Sequence, residues 1–99
     1  KEEPTEIAAR RELEEETGYQ CGELEMLASI YPGAAFSNEK IDIYLAGNLK
    51  KGVQHLDEDE MINVESYTLE ELKQMIYDCR IQDAKTICGI MTYASKYGL

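Results

Sequence analysis

No apolar run in the 99 residues approaches the ~20 that a membrane-spanning helix needs, so no membrane is expected among its partners. Basic residues are scarce: ten Lys and Arg stand against twenty Asp and Glu, a formal charge of -10. That excess repels a phosphate backbone and argues against nucleic acid as a partner, while leaving an anionic small molecule accessible if cations bind first. The cysteines, Cys21, Cys79 and Cys88, are odd in number and lack CxxC spacing, which disfavours a disulfide framework or a zinc knuckle and suits a reducing cytoplasm. A secretory leader and an initiator Met are also lacking. The chain opens on "KEEPTEIAAR", at the threshold of a helix, so residues upstream of Lys1 are expected.

What remains is the composition of a folded domain, 43% hydrophobic and 30% charged, at a length that suits a single core. Pro4 suits a first helical turn, Glu2, Glu3 and Glu6 suit the positive end of a helix dipole, and Gly18 suits a left-handed terminus. Together they predict a helix over 4–17 whose apolar stripe is carried by Ala9 and Leu13. "LEMLASIY" (24–31) reads as a mostly buried strand, "PGAAFSNE" as a loop, and "KIDIYLA" as a strand alternating Ile41, Ile43 and Leu45 with Asp42 and Tyr44. Residues 47–60 read as a long loop and "MINVESY" as a third strand through Ile62 and Val64. Thr68 and Glu71 form a capping-box pair, and Asp83 can cap a last helix carrying Ile87, Cys88 and Met91. The order predicts a sheet covered by helices.

One stretch breaks a local rule. In "AARRELEEETGY" the carboxylates of Glu14, Glu15 and Glu16 crowd the last turn, where the helix dipole is already negative; Glu12, Glu15 and Glu16 fall on neighbouring positions of one face. Like charges at this spacing cost roughly 0.2 to 0.5 kcal/mol per pair. Two explanations stand at this point: solvated surface charge partly neutralised by Arg10 and Arg11, or a seat for a hard divalent cation.

The spacing of Glu3, seven residues, Arg11, Glu12, Leu13, Glu14, Glu15, Glu16, Thr17, Gly18 and Tyr19 resembles the Nudix box, a Gly, five variable residues, Glu, seven variable residues, then Arg-Glu-U-x-Glu-Glu-x-Gly-U with U apolar. The leading Gly would precede Lys1, and Tyr19 is an aromatic version of the final apolar position. The resemblance implies an α+β fold of Nudix type, an α/β/α sandwich with a mixed sheet, of which residues 1–99 are the C-terminal portion. The N-terminal strands would be absent and the segment inactive by itself. It also implies that Glu12 and Glu16 are the main ligands of Mg²⁺ or Mn²⁺, that Glu15 is a further ligand or base, and that Arg11 and Gly18 are structural.

"YPG", "LDEDE" and "DAKT" extend the likeness to ADP-ribose pyrophosphatases, with Tyr31 where Ser is common. On that likeness Pro32 and Gly33 mark the subgroup and Glu39 lies near the substrate. Glu58, with Glu60 as second choice, orients or deprotonates the attacking water. Taken alone, "DEDE" reads as a solvated acidic turn, Glu39 as ordinary surface and His55 as a loop residue. The implied reaction is cleavage of the pyrophosphate of ADP-ribose, or of a related nucleoside diphosphate sugar, to AMP and ribose 5-phosphate by a homodimer. The alternative is a Nudix-fold sensor that binds a nucleotide without cleaving it.

Overall fold

A computed structural model describes residues 3–33, 38–54 and 63–99. Five elements follow one another: α1 (Thr5–Thr17), β1 (Tyr19–Ile30), β2 (Ile41–Lys51), α2 (Leu69–Tyr77) and α3 (Ala84–Lys96). The two strands form a two-stranded sheet. Their register is antiparallel: Gly18 pairs with Gly52 through the backbone, Gly22 lies beside Asn48, and the Ser29 hydroxyl donates to Asp42 at 2.7 Å. The chain forms two compact units, the described residues of Lys1–Glu25 with Ala46–Glu65, and those of Met26–Leu45 with Ser66–Leu99.

In the first unit, α1 starts after Pro4 and ends at Gly18, whose φ of 80° is the left-handed conformation that only glycine adopts cheaply. The Gly18 N–H closes the last turn on the Glu14 carbonyl at 2.9 Å, and the Thr17 hydroxyl donates to the Leu13 carbonyl. Ala8, Ala9 and Leu13 are half-buried and nothing on α1 is fully buried.

Both strands are longer than the sequence pattern suggests. β1 begins at Tyr19, not Leu24, and β2 runs on to Lys51 through residues 47–51 that read as loop. The reason is pairing: the polar stretch Gly47–Lys51 has no apolar alternation, but its backbone finds partners in residues directly after Gly18. Asn48 takes a φ of 52°, a left-handed residue inside a strand and the mark of a local bulge, which further hides the period of two. The expected third strand is not formed by residues 63–68, which have no regular structure; exposed Val64 supplies an apolar period without a ladder partner.

The second unit is built on an αα hairpin. Thr68 caps α2 through a complete box, its hydroxyl accepting from the Glu71 N–H at 3.1 Å while the Glu71 carboxylate accepts from the Thr68 N–H at 2.8 Å. Asp83 caps α3 by accepting from the Thr86 N–H at 2.9 Å and its hydroxyl at 2.8 Å. Helices α2 and α3 pack on each other, and Lys73 donates to the Leu99 carbonyl across them. An apolar pocket of 710 Å³ is lined by Leu27, Ile43 and Leu45 of the sheet and by Leu72, Ile90 and Tyr93 of the helices. Ala94 is the one buried hydrophobic residue among the described residues, while Ile7, Met26, Leu49, Val53 and Tyr77 are exposed. A two-stranded sheet does not enclose a core by itself. No helix among the described residues is long and apolar enough to cross a membrane.

Three outcomes follow from the helix ends. Thr68→Ala, which removes the cap of α2, is expected to destabilise the protein by about 1 kcal/mol in urea denaturation. Gly18→Ala, forced into the left-handed region, is expected to cost roughly 1 kcal/mol in the same measurement. The Asp83 carboxyl is held below its ordinary value of 3.8 by the two hydrogen bonds from Thr86, with help from Lys85. Its contribution is therefore fully present above that ordinary value and disappears as pH falls through the lower folded value. Denaturation of Asp83→Asn across the acid range should show a weaker loss of stability with falling pH than the parent.

Candidate active site

The charged positions of the first helix separate into different environments. Arg11 is the hub of one side: its Nη2 donates to Glu3 at 2.8 Å and its Nη1 reaches Glu15 at 3.5 Å, one turn further on. The guanidinium is held even more firmly protonated than a free arginine, first by the hydrogen bond and charge of Glu3, then by the charges of Glu15 and Glu12. The structure thus gathers Glu3, Arg11 and Glu15, with the shorter bond going to Glu3, eight residues back.

Glu12 and Glu16 are exposed, one turn apart, and neither side chain makes a hydrogen bond or ion pair among the described residues. The charge of Glu12 acts on the neighbouring Arg11. The donor set Glu12, Glu15 and Glu16 is all carboxylate oxygen, the chemistry a hard divalent cation takes. No three His, Cys, Asp or Glu side chains among the described residues stand close enough together to hold a metal ion.

Two residues whose bonds the sequence pattern does not show hold the helix on its other side. Arg10, read as a neutraliser of the glutamates, instead donates from Nη1 to the Cys21 carbonyl at 3.0 Å and reaches its Sγ at 3.5 Å, turning toward β1. Glu14 occupies a variable position of the motif, yet its Oε2 accepts from the Val53 N–H at 3.1 Å and from Gln20 Nε2 at 3.0 Å. Gln54 donates to the Glu16 carbonyl at 2.7 Å. No local signal could reveal the bond from Val53, because it lies 39 residues downstream of Glu14.

The remaining site residues fall elsewhere. Pro32 and Glu39 are exposed, Gly33 is half-buried, and all three belong to the second unit, whereas α1 belongs to the first. Glu58 and Glu60, and His55, lie outside the described residues. Cys21, Cys79 and Cys88 are free thiols.

Comparison with known proteins bears on this helix directly. The family described as NUDIX domain matches residues 1–88. The chain is 42% identical over 86 residues to a methanol dehydrogenase activator of Bacillus methanolicus, covering 85% of this chain and 46% of that protein. It is 37% identical over 100 residues to an ADP-ribose pyrophosphatase of Bacillus subtilis (strain 168), covering 99% of this chain and 54% of that protein. A GDP-mannose pyrophosphatase of Yersinia enterocolitica is 35% identical over 99 residues, with 91% of this chain and 48% of that protein covered. The chain therefore spans about half the length of the curated relatives it matches. Its fold superposes on the crystal structure of an ADP compounds hydrolase with a TM-score of 0.84 at 22% identity, covering 97% of this chain and 54% of that one. The helix-and-strand architecture is accordingly the expected Nudix fold, and the chain belongs to the Nudix domain family.

Proposed function

We propose that the full-length protein is a divalent-metal-dependent pyrophosphohydrolase of ADP-ribose or a related nucleoside diphosphate sugar, yielding AMP and ribose 5-phosphate from ADP-ribose. The carrying observation is the pair of exposed carboxylates Glu12 and Glu16, one helical turn apart and without a bonding partner among the described residues, inside a matched Nudix motif. Uncompensated anions at the negative end of a helix are a cost that a cation removes. Glu12 and Glu16 would hold Mg²⁺ or Mn²⁺, with Glu15 as a further ligand or base. When bound, the metal supplies the positive charge that draws a diphosphate to a protein of charge -10 and acidifies a water.

The protein's own groups do the rest. Arg11, reaching Glu15 at 3.5 Å, would bias that carboxylate toward one orientation. The reading assigns acceptance of the water's proton to Glu58, with Glu60 second, and contacts to substrate to Pro32, Gly33 and Glu39. ADP-ribose pyrophosphatase and GDP-mannose pyrophosphatase among the relatives support a nucleoside diphosphate sugar as the substrate class. The free thiols suit a cytoplasmic setting, and the family resemblance supports a homodimer.

The second reading is a regulatory domain that binds a nucleotide without cleaving it; the likeness to a methanol dehydrogenase activator supports the regulatory part of it. One experiment separates them. The full-length protein incubated with ADP-ribose and Mg²⁺ should release AMP by chromatography, and Glu16→Gln should lower that rate by more than about 10²-fold, beyond what loss of an outer-shell partner costs. Retained turnover in Glu16→Gln would refute the metal assignment; ADP-ribose binding with no AMP from the parent would favour the regulatory reading.

A further inference from the structure

Four hydrogen bonds stitch the C-terminal turn of α1 to the neighbouring strand ends. The Gly18 carbonyl accepts from the Gly52 N–H at 2.6 Å, the Glu16 carbonyl accepts from Gln54, and the Glu14 carboxylate accepts from both Val53 and Gln20. Three of the four end on residues 52–54, directly after β2. The fit is tight: a Cβ added at position 52 would overlap Glu14 Oε2 and lie 2.9 Å from its Cδ and 3.0 Å from Gln20 Cγ. A side chain at position 52 would therefore have to displace the Glu14 carboxylate from the space it fills. Arg10, one turn earlier on the same side, completes the attachment by donating to Cys21 of β1.

This side of the helix faces away from Glu12 and Glu16. Glu14 is two residues from each, about 200° around a helix, so its bonds to the strand end fix the rotation of α1 about its own axis and with it the direction in which the other carboxylates project. The two amide donors occupy one oxygen of Glu14 and hold it against the strand end, on the side away from Glu12 and Glu16.

We propose that Glu14 is a positioning residue: its carboxylate, seated in the gap at Gly52 and bonded to Val53 and Gln20, sets the orientation of the Glu12–Glu16 face toward the metal. The inference rests on the metal assignment of the preceding section. Because one oxygen accepts both bonds, the amide oxygen of a glutamine can replace it, whereas a metal ligand or a general base cannot be replaced in that way.

The test uses the full-length protein, with Mn²⁺ affinity read by electron paramagnetic resonance, kcat and KM for ADP-ribose, and circular dichroism to verify folding. Glu14→Ala should weaken Mn²⁺ binding and lower kcat by about tenfold each, with KM little changed, as loss of an outer-shell partner does. Glu14→Gln should recover most of both. Gly52→Ala, which keeps every charge, should reproduce the Glu14→Ala defect by displacing the carboxylate, and should cost little further when added to Glu14→Ala. Wild-type affinity and kcat in Glu14→Ala, a Glu14→Gln as impaired as Glu14→Ala, or independent and additive effects of the two substitutions would each overturn the proposal. Glu16→Gln is the control. If it loses Mn²⁺ while Glu14→Ala behaves as wild type, the positioning role alone is refuted; if it retains wild-type Mn²⁺ affinity, the metal assignment fails and the positioning role with it.

Discussion

The attachment of the first helix's last turn to the end of β2 is the constraint on which the rest of the site depends. That turn carries three consecutive carboxylates at the end of the helix where the dipole is negative, and the first helix buries no side chain completely. Little apolar burial is available to hold it. A hydrogen bond to a charged group contributes about 1.5 kcal/mol at the low end, several times the ~0.2–0.5 kcal/mol cost of one like-charged pair. The two bonds accepted by Glu14, with those from the Gly52 N–H to the Gly18 carbonyl and from Gln54 to the Glu16 carbonyl, therefore outweigh the local repulsion and keep an otherwise unfavourable turn in place.

The crowding of Glu14, Glu15 and Glu16 resolves into three unlike environments. Glu14 is met by a backbone amide and a side-chain amide, Glu15 by the Arg11 guanidinium, and Glu16 by neither. Among the described residues, Glu12 and Glu16 have neither a hydrogen bond nor an ion pair from their side chains. A surface selected merely for solubility has no reason to pair two neighbours of a run and leave the third open. Arg11 itself is restrained from behind by Glu3, so the cation that holds Glu15 is not free to swing onto Glu16 and close the gap. The charge of the helix is thus sorted by side, with protein partners on one flank and an open acceptor pair on the other.

Elements whose determinants are local were legible from the sequence. Thr68 with Glu71, Asp83 and Gly18 each complete a bond within a few residues, and the helix ends fall where those residues stand. The motif was legible because its spacing is a property of one helix. What could not be read was long-range: the extension of β2 through Gly47, Asn48 and Lys50 exists because β1 starts immediately after Gly18, and a strand stabilised by its ladder carries no alternation to betray it. The reverse error occurred at Val64, where alternation is present and no ladder is. Glu14 and Arg10 were missed for the same reason, since each is defined by a partner on another element.

The contrast between the two units bears on how such a site can be precise on so small a core. In the second unit the helices are fixed by caps and by packing on each other, yet a cavity of 710 Å³ remains against the sheet. Apolar contact is non-directional and tolerates sliding, so by itself it would not hold a helix to the fraction of an ångström that oriented ligands require. Hydrogen bonds are directional, and those around Glu14 come from a backbone that is itself the continuation of a paired strand. The rotation of the first helix is therefore inherited from the sheet's register. A slip of one residue in that register would move the Val53 N–H away from Glu14 and turn the acceptor face with it, which ties the geometry of the candidate site to strand pairing more closely than to the burial of any side chain.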